Sequence, residues 1–209
     1  MTPGDYGWMA LEPFVVGPYH SELSSGNYID LMHPDPRTIT LDDVSYGLSN
    51  ICRFTGQTGP TFYSVAEHAC LVAHRIGELG GTARQCLSGL HHDDAEALMG
   101  DFSRPMKKLL AGAVAPIEKR VLVAALEAQG ITDMVDMDDP IVKDADNWAL
   151  QREAFQLMPS SGEGWAPWVH PGGKPPWTLG TMSPAEARKF WLAINRQTAH
   201  AVEREALNV

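Results

Sequence analysis

Residues 64–76 read SVAEHACLVAHRI. Ser64 stands three positions before Glu67, the spacing at which an N-cap hydroxyl and an acidic side chain complete a capping box. Val65, Ala69, Val72 and Ile76 then recur at the spacing of one helical face. The stretch predicts a helix that begins after Ser64 and buries an apolar stripe. The same start signal recurs at Thr40 with Asp43 and at Ser183 with Glu186. Pro184, and Pro140 after Asp139, sit at first helical positions, where a missing N–H costs nothing. Apolar residues at helical spacing follow at Leu87, Leu90 and Leu98, and again at Ile117, Val121, Ala124 and Ala125. The fold expected from these signals is an all-α helical bundle.

Two regions depart from that pattern. Residues 1–39 are rich in Gly, Pro and turn formers and read as an irregular N-terminal arm, with short strands near Phe14 to Val16 and Tyr28 to Leu31. Residues 159–182, PSSGEGWAPWVHPGGKPPWTLGTM, carry too much Pro and Gly for a helix and too many tryptophans for a plain linker. Such a loop serves either as a lid or subunit contact built on Trp165, Trp168 and Trp177, or as a flap packed on its own core. Residues 183–207 then form a closing helix. The 209 residues, 44% hydrophobic, fit a single domain, 1–209, with a substantial core.

Charge and cysteine usage exclude several functions. Sixteen basic against 26 acidic residues give a net charge of −10, which disfavours nucleic acid and anionic membrane as partners. Cys52, Cys70 and Cys86 are odd in number and lack CxxC spacing, so neither a disulfide framework nor a thiolate zinc site is expected, and a reducing cytoplasm is the natural compartment. No signal peptide and no apolar run of membrane-spanning length is visible.

The chemistry concentrates in residues 91–101, HHDDAEALMGD. Adjacent His92 and Asp93 offer an imidazole nitrogen and a carboxylate oxygen to one divalent ion. His68 and Asp146 are the best candidates for two further ligands, with Asp144 an alternative register for the latter. On a continuous helix Glu96 lies about 40° around from His92, so it can orient or deprotonate an attacking water. Asp101 follows Gly100, a helix stop, and can turn back to protonate a leaving alkoxide. Either acid taken alone would read as an ordinary solvated carboxylate. Their surplus negative charge demands cations on the substrate side. Arg53, Arg104, Lys107, Lys108 and Lys143 are the candidates, each with a plain surface role as its alternative. Ser103 is positioned to cap a helix with Pro105 in its first turn, an arrangement that favours anions. His91 points about 100° away from His92 and reads as structural.

The order His68, His92-Asp93, Asp146 resembles the HD superfamily of phosphohydrolases. The likeness is greatest to the bacterial 5′-deoxynucleotidases and to phage-encoded dATP triphosphohydrolases, through SNICRF, SVAEHA, LHHDDAEALMGDFSRPMKK and VKDADNWAL, over roughly residues 25–158. The resemblance implies an all-α HD domain, usually a homo-oligomer. It implies one divalent metal (Mn²⁺, Co²⁺, Fe²⁺, Zn²⁺ or Ni²⁺) on those four ligands, Asp146 being favoured over Asp144 by the lysine-x-alanine-aspartate alignment. It implies catalytic roles for Glu96 and Asp101, and a phosphate grip for Arg53. The family's tryptophan after that arginine, associated with deoxyribose preference, is replaced here by Phe54. The implied activity is cleavage of the O5′–phosphorus bond of a nucleotide. Release of phosphate from a deoxynucleoside monophosphate is the leading form, release of triphosphate from a dATP-type substrate the alternative. A catalytically silent metal- or nucleotide-binding sensor is the alternative of another class.

Overall fold

A computed structural model describes residues 16–165 and 175–207. Most of the beginning of the N-terminal arm, with Phe14, and Trp168 of the long loop lie outside the described residues. Within them the chain is mostly helical. It runs β1 (His20–Glu22), β2 (Tyr28–Asp30), α1 (Leu41–Asn50), α2 (Val65–Glu78), α3 (Ala83–His91), α4 (Glu96–Met99), α5 (Arg104–Leu109), α6 (Ala111–Ala128), α7 (Pro140–Leu157) and α8 (Pro184–Leu207). The two strands pair antiparallel with His20 opposite Asp30. Val16 is in no strand, the expected 28–31 strand is present as Tyr28–Asp30, and its partner is His20–Glu22, after a turn closed by the His20 amide on the Gly17 carbonyl.

The helix starts legible at Thr40, Ser64, Asp139 and Ser183 are capped by those side chains. Thr40 Oγ1 accepts from the Asp43 amide while Asp43 Oδ2 accepts from the Thr40 amide. The second Asp43 oxygen takes Ser24 Oγ and the Ser25 amide, both at 2.8 Å, which ties the N-terminal arm to α1. Ser183 and Glu186 form the same reciprocal pair at the start of α8. Asp139 caps α7 through the Ile141 amide. A further box, Thr82 with Gln85, starts α3.

α2 is the axis. Every residue from Val65 to Ala73 is buried, so both faces of this helix must be covered. One face packs with Val44 and Leu48 of α1, Leu90 of α3, Val121 and Ala125 of α6, and Trp191 of α8. The other packs Leu71, Val72 and Ile76 against Val142, Ala145 and Ala149 of α7. Gly47 lets α1 approach α4 so closely that a Cβ there would collide with the Ala97 carbonyl, which fixes the short helix carrying Glu96. No helix of the described residues is long and apolar enough to cross a membrane.

A helix buried on both faces must find partners for its polar side chains. Glu67 caps nothing with its carboxylate, although Ser64 Oγ still accepts the Glu67 amide. Its Oε1 instead accepts from the Gly180 amide at 2.8 Å and from Trp177 Nε1 at 3.3 Å, which pins the end of the Trp-rich loop onto α2. Leu179 is buried beside it. This part of the loop is therefore a docked flap. Burial pushes the Glu67 carboxyl up to about 7, outweighing those two donors. A carboxyl held higher in the folded than in the unfolded state favours the native protein when protonated, and that contribution is lost as pH rises from the usual carboxylate range through about 7. Glu67→Gln keeps both acceptor contacts without the charge. In metal-free protein it should lose less stability than wild type between pH 5 and pH 8 in urea titrations, whereas Glu67→Ala, which orphans both donors, should cost about 1–3 kcal/mol throughout. Parallel pH profiles for wild type and Glu67→Gln would contradict this.

Two local expectations need correction. Residues 91–99 are not one continuous helix: α3 stops at His91, residues 92–95 form tight turns closed by i→i−3 bonds, and α4 begins at Glu96. The cause is local. His92 Nδ1 donates to the Gly89 carbonyl at 2.8 Å, the acceptor that a continuing helix would give to the Asp93 amide. Ser103 stands at the N-cap of α5 but its hydroxyl makes no capping bond, and α5 has only six residues. The anion-favouring helix terminus expected there is absent.

Candidate metal centre

Four candidate donors from three parts of the chain, His68 of α2, His92 and Asp93 of the turn after α3, and Asp146 of α7, lie close together. His68, His92 and Asp146 present ligand atoms within 4.8 Å of one another. The two imidazole Nε2 atoms are 3.3 Å apart. Asp93 Oδ2 lies 3.2 Å from His92 Nε2 and 3.5 Å from His68 Nε2, and Asp146 Oδ1 is 3.5 Å from His68 Nε2. Bonds of about 2.1 Å to a common ion would set neighbouring donors about 3.0–3.4 Å apart in octahedral or tetrahedral geometry. The observed spacings match that demand. The group could hold a metal ion, and its two carboxylates would balance a divalent charge.

The orientation of both imidazoles is fixed from behind. His92 donates from Nδ1 to the Gly89 carbonyl, and His68 from Nδ1 to Glu153 Oε1 at 2.5 Å, so each keeps its Nε2 lone pair for the centre. Glu153 was not anticipated. It is fully buried on α7 and also accepts from Tyr63 Oη at 2.9 Å and Arg53 Nε at 3.3 Å. One signal pointed to it: Glu153 is seven residues, two turns, after Asp146, on the same face of one helix.

Electrostatics show a site short of positive charge. Burial disfavours the His68 imidazolium, but Glu153 and Asp146 outweigh it and carry the group up to about 9. His92 is likewise raised, burial being outweighed by Asp93. Asp93 and Asp146 are held well below the usual carboxylate range in spite of burial, Asp93 chiefly by His92 and Asp146 chiefly by His68. In effect protons on the imidazoles stand where a cation would neutralise the same carboxylates, so metal binding and protonation compete.

Glu96 and Asp101 flank the cluster. Burial, then Asp93 and Asp101, push the Glu96 carboxyl up to about 8. Its Oε1 accepts from Lys107 Nζ at 2.8 Å, while Oε2 is buried without a hydrogen-bond partner. Gly100, at φ +91°, reverses the chain after α4, and Asp101 is raised by burial against the pull of Arg53.

The candidate cations divide. Lys107 is held between Glu96 and Glu118, at 2.8 and 2.7 Å, so it steadies Glu96 and its charge is already met by two carboxylates. Lys108, the next residue on α5, is exposed. Arg53 is a buried cation clamped between Glu153 and Asp93, with an Nη 3.6 Å from Asp93 Oδ2. Arg104 and Lys143 remain at the solvent side, both on Asp146 Oδ2 at 3.3 and 2.9 Å, with side chains 49% and 68% exposed. Lys143 also lines a cavity of about 160 Å³ with His92, Met137, Val142 and Asp146, which opens the centre to solvent. Asp144, the alternative ligand, is exposed on α7, and Asp146 occupies the centre. His91 is structural: Asp94 and Asn195 take its two nitrogens and Trp191 packs on its ring.

Fold and centre together define a mostly helical protein with a His/Asp cluster that could hold a metal ion. No family model matches the chain. It is 32% identical over 141 residues to an uncharacterized protein of Rhodobacter capsulatus, covering 65% of this chain and 71% of that protein. It is 33% identical over 138 residues to the uncharacterized protein YfdR of Escherichia coli, covering 66% of this chain and 71% of YfdR. The chain belongs to the family that includes these two proteins.

Proposed function

We propose that the protein is an HD-type metal-dependent phosphohydrolase that cleaves the O5′–phosphorus bond of a nucleotide, acting as a 5′-deoxynucleotidase that releases phosphate. The observation that carries this reading is the convergence of His68, His92, Asp93 and Asp146 beside a glutamate that has one oxygen tethered and the other free. A divalent ion in the cluster would supply Lewis acidity and lower the pKa of the attacking water. Glu96, fixed through Oε1 by Lys107, takes the proton of that water on Oε2 as oxygen attacks phosphorus. The O5′–phosphorus bond breaks, and Asp101, which burial inclines to keep its proton, delivers it to the leaving 5′ oxygen.

The cation inventory favours the monophosphate. Arg53 and Lys107 are already paired with acids, and Lys108 is exposed and, among the described residues, forms no ion pair with the centre as Arg104 and Lys143 do. Arg104 and Lys143 are left, and a metal ion taking up the charge of Asp146 would release Lys143 for substrate and leave Arg104 held by Asn147 Oδ1 alone, at 3.1 Å. Two cations suit a phosphate dianion; a triphosphate adds two more anionic groups that need partners along their path.

Metal-loaded protein given a panel of ribo- and deoxynucleoside mono- and triphosphates should release inorganic phosphate from deoxynucleoside monophosphates. Release of triphosphate would transfer the assignment to a dATP-type triphosphohydrolase, and nucleotide binding without product would identify a sensor.

A further inference from the structure

Arg53, Phe54, Thr55 and Gly56 form a turn of unusual geometry beside the metal centre. Phe54 and Thr55 both adopt positive φ, +56° and +51°, followed by Gly56 at +75°. Two consecutive L residues in the left-handed region are costly and persist only where the surroundings impose them. Here the Arg53 amide donates to Tyr63, Gly56 to Arg53 and Gln57 to Phe54, while the Arg53 guanidinium is locked on Glu153 and Asp93. The product of this strain is the placement of one ring. Phe54 stands beside the guanidinium, 5.7 Å from ring centroid to Cζ.

A second strained turn brings a second ring to the same place. Ser161 at φ +49°, with Gly162 and Gly164 also positive, leads into Trp165. The Trp165 ring lies 6.0 Å from that of Phe54 at an interplanar angle of 49°. Neither ring belongs to the three buried apolar clusters of the described residues, and Trp165 is 36% exposed. The pair is therefore an aromatic surface outside the core. It is reached from the metal donors in two short steps, 3.6 Å from Asp93 to the guanidinium and 5.7 Å from guanidinium to ring.

We propose that Phe54 and Trp165 form an aromatic wall on which the heterocyclic base of the substrate stacks, so that the centre selects phosphate esters bearing an aromatic base over simple sugar phosphates. This rests on the reading of the centre as a nucleotide phosphohydrolase and adds to it the residues that recognise the base. Stacking is sequence-tolerant because every base offers a π face, and the rings tilt against each other, so a base lies along the wall and not between them. Trp165 comes from the Trp-rich loop, whose far end is pinned to α2 by Glu67. The loop thus serves recognition at one end and packing at the other.

The test compares Trp165→Ala, Trp165→Phe and Phe54→Leu with wild type in the full, metal-loaded chain. Steady-state kinetics use a deoxynucleoside monophosphate and 2-deoxyribose 5-phosphate, and calorimetry gives Kd for the monophosphate. For Trp165→Ala the ratio of kcat/KM between the two substrates should fall about tenfold through KM, with Kd for the nucleotide rising by about the same factor and Trp165→Phe recovering most of both. Near-wild-type ratios and Kd in both Trp165→Ala and Phe54→Leu would overturn the wall while leaving the hydrolase intact. If wild type turns over neither substrate, the hydrolase reading fails, yet weaker nucleotide binding by Trp165→Ala would still support the wall, and absence of nucleotide binding by wild type would overturn it.

Discussion

Glu153→Ala is expected to cost about 3–5 kcal/mol of stability and to weaken metal binding 10–100-fold. The carboxylate is wholly buried and serves three partners at once: the His68 ring, the Tyr63 hydroxyl and the Arg53 guanidinium. Removing it leaves Arg53 as a buried cation whose remaining partner is Asp93 at 3.6 Å, and leaves Tyr63 and His68 each with an unmet donor. Breaking a buried charge pair by deleting one member carries the full desolvation cost of the survivor. For a chain of this size that corresponds to a fall in melting temperature on the order of 10 °C. The loss of metal has a separate cause: without the acceptor on Nδ1, the ring is free to turn and to move its proton to Nε2, the donor atom of the centre. Glu153→Gln, similar in shape but neutral, should fall between. Thermal melts and metal content per chain measure the two effects, and a Glu153→Ala protein with a wild-type midpoint and a full metal complement would refute the account of both.

The second large effect is expected at Glu96. Glu96→Ala should leave metal content near wild type while lowering turnover on the order of 10²-fold or more, the scale of a lost general base. Metal content is expected to hold because Glu96 lies outside the donor set and the Lys107 charge keeps a partner in Glu118 at 2.7 Å. His92→Ala and Asp93→Ala supply the contrast. Each removes a donor that stands 3.2–3.5 Å from its neighbours, and each should lose metal and activity together. Turnover in Glu96→Ala equal to wild type would remove that residue from the chemistry, and full metal stoichiometry in His92→Ala would contradict the ligand set.

The helix starts at Thr40, Asp139 and Ser183 were legible because a cap is a contact between residues two or three positions apart, whose geometry the chain carries wherever it folds. The buried stripe Val65, Ala69, Val72 and Ile76 was legible for a similar reason, since helical periodicity is a local property. The donors His68, His92, Asp93 and Asp146 could be nominated from residue type and order. Their meeting could not be read from spacing alone, because it depends on α7 packing along α2 through Val142, Ala145 and Ala149.

What stayed hidden has one physical character. Glu153 is an ordinary acid of the run DNWALQREAF until packing removes it from water and gives it His68, Tyr63 and Arg53 as partners. Lys107 looked available to phosphate until α4 and α6 set Glu96 and Glu118 on either side of it. Glu67 had the spacing of a capping box, yet a glycine amide and an indole more than a hundred residues away claimed its carboxylate. Phe54 and Trp165, comparably distant in the chain, became neighbours through two turns of positive φ. By itself the sequence determined where the helices capped by Thr40, Ser64, Asp139 and Ser183 begin and which side chains have metal-binding chemistry, because those follow from residue type and from interactions within a few residues. Only the tertiary structure decided which acids lose their solvent and which cations are consumed in neutralising them, because desolvation and Coulomb energy depend on neighbours that the chain brings together only when it is packed.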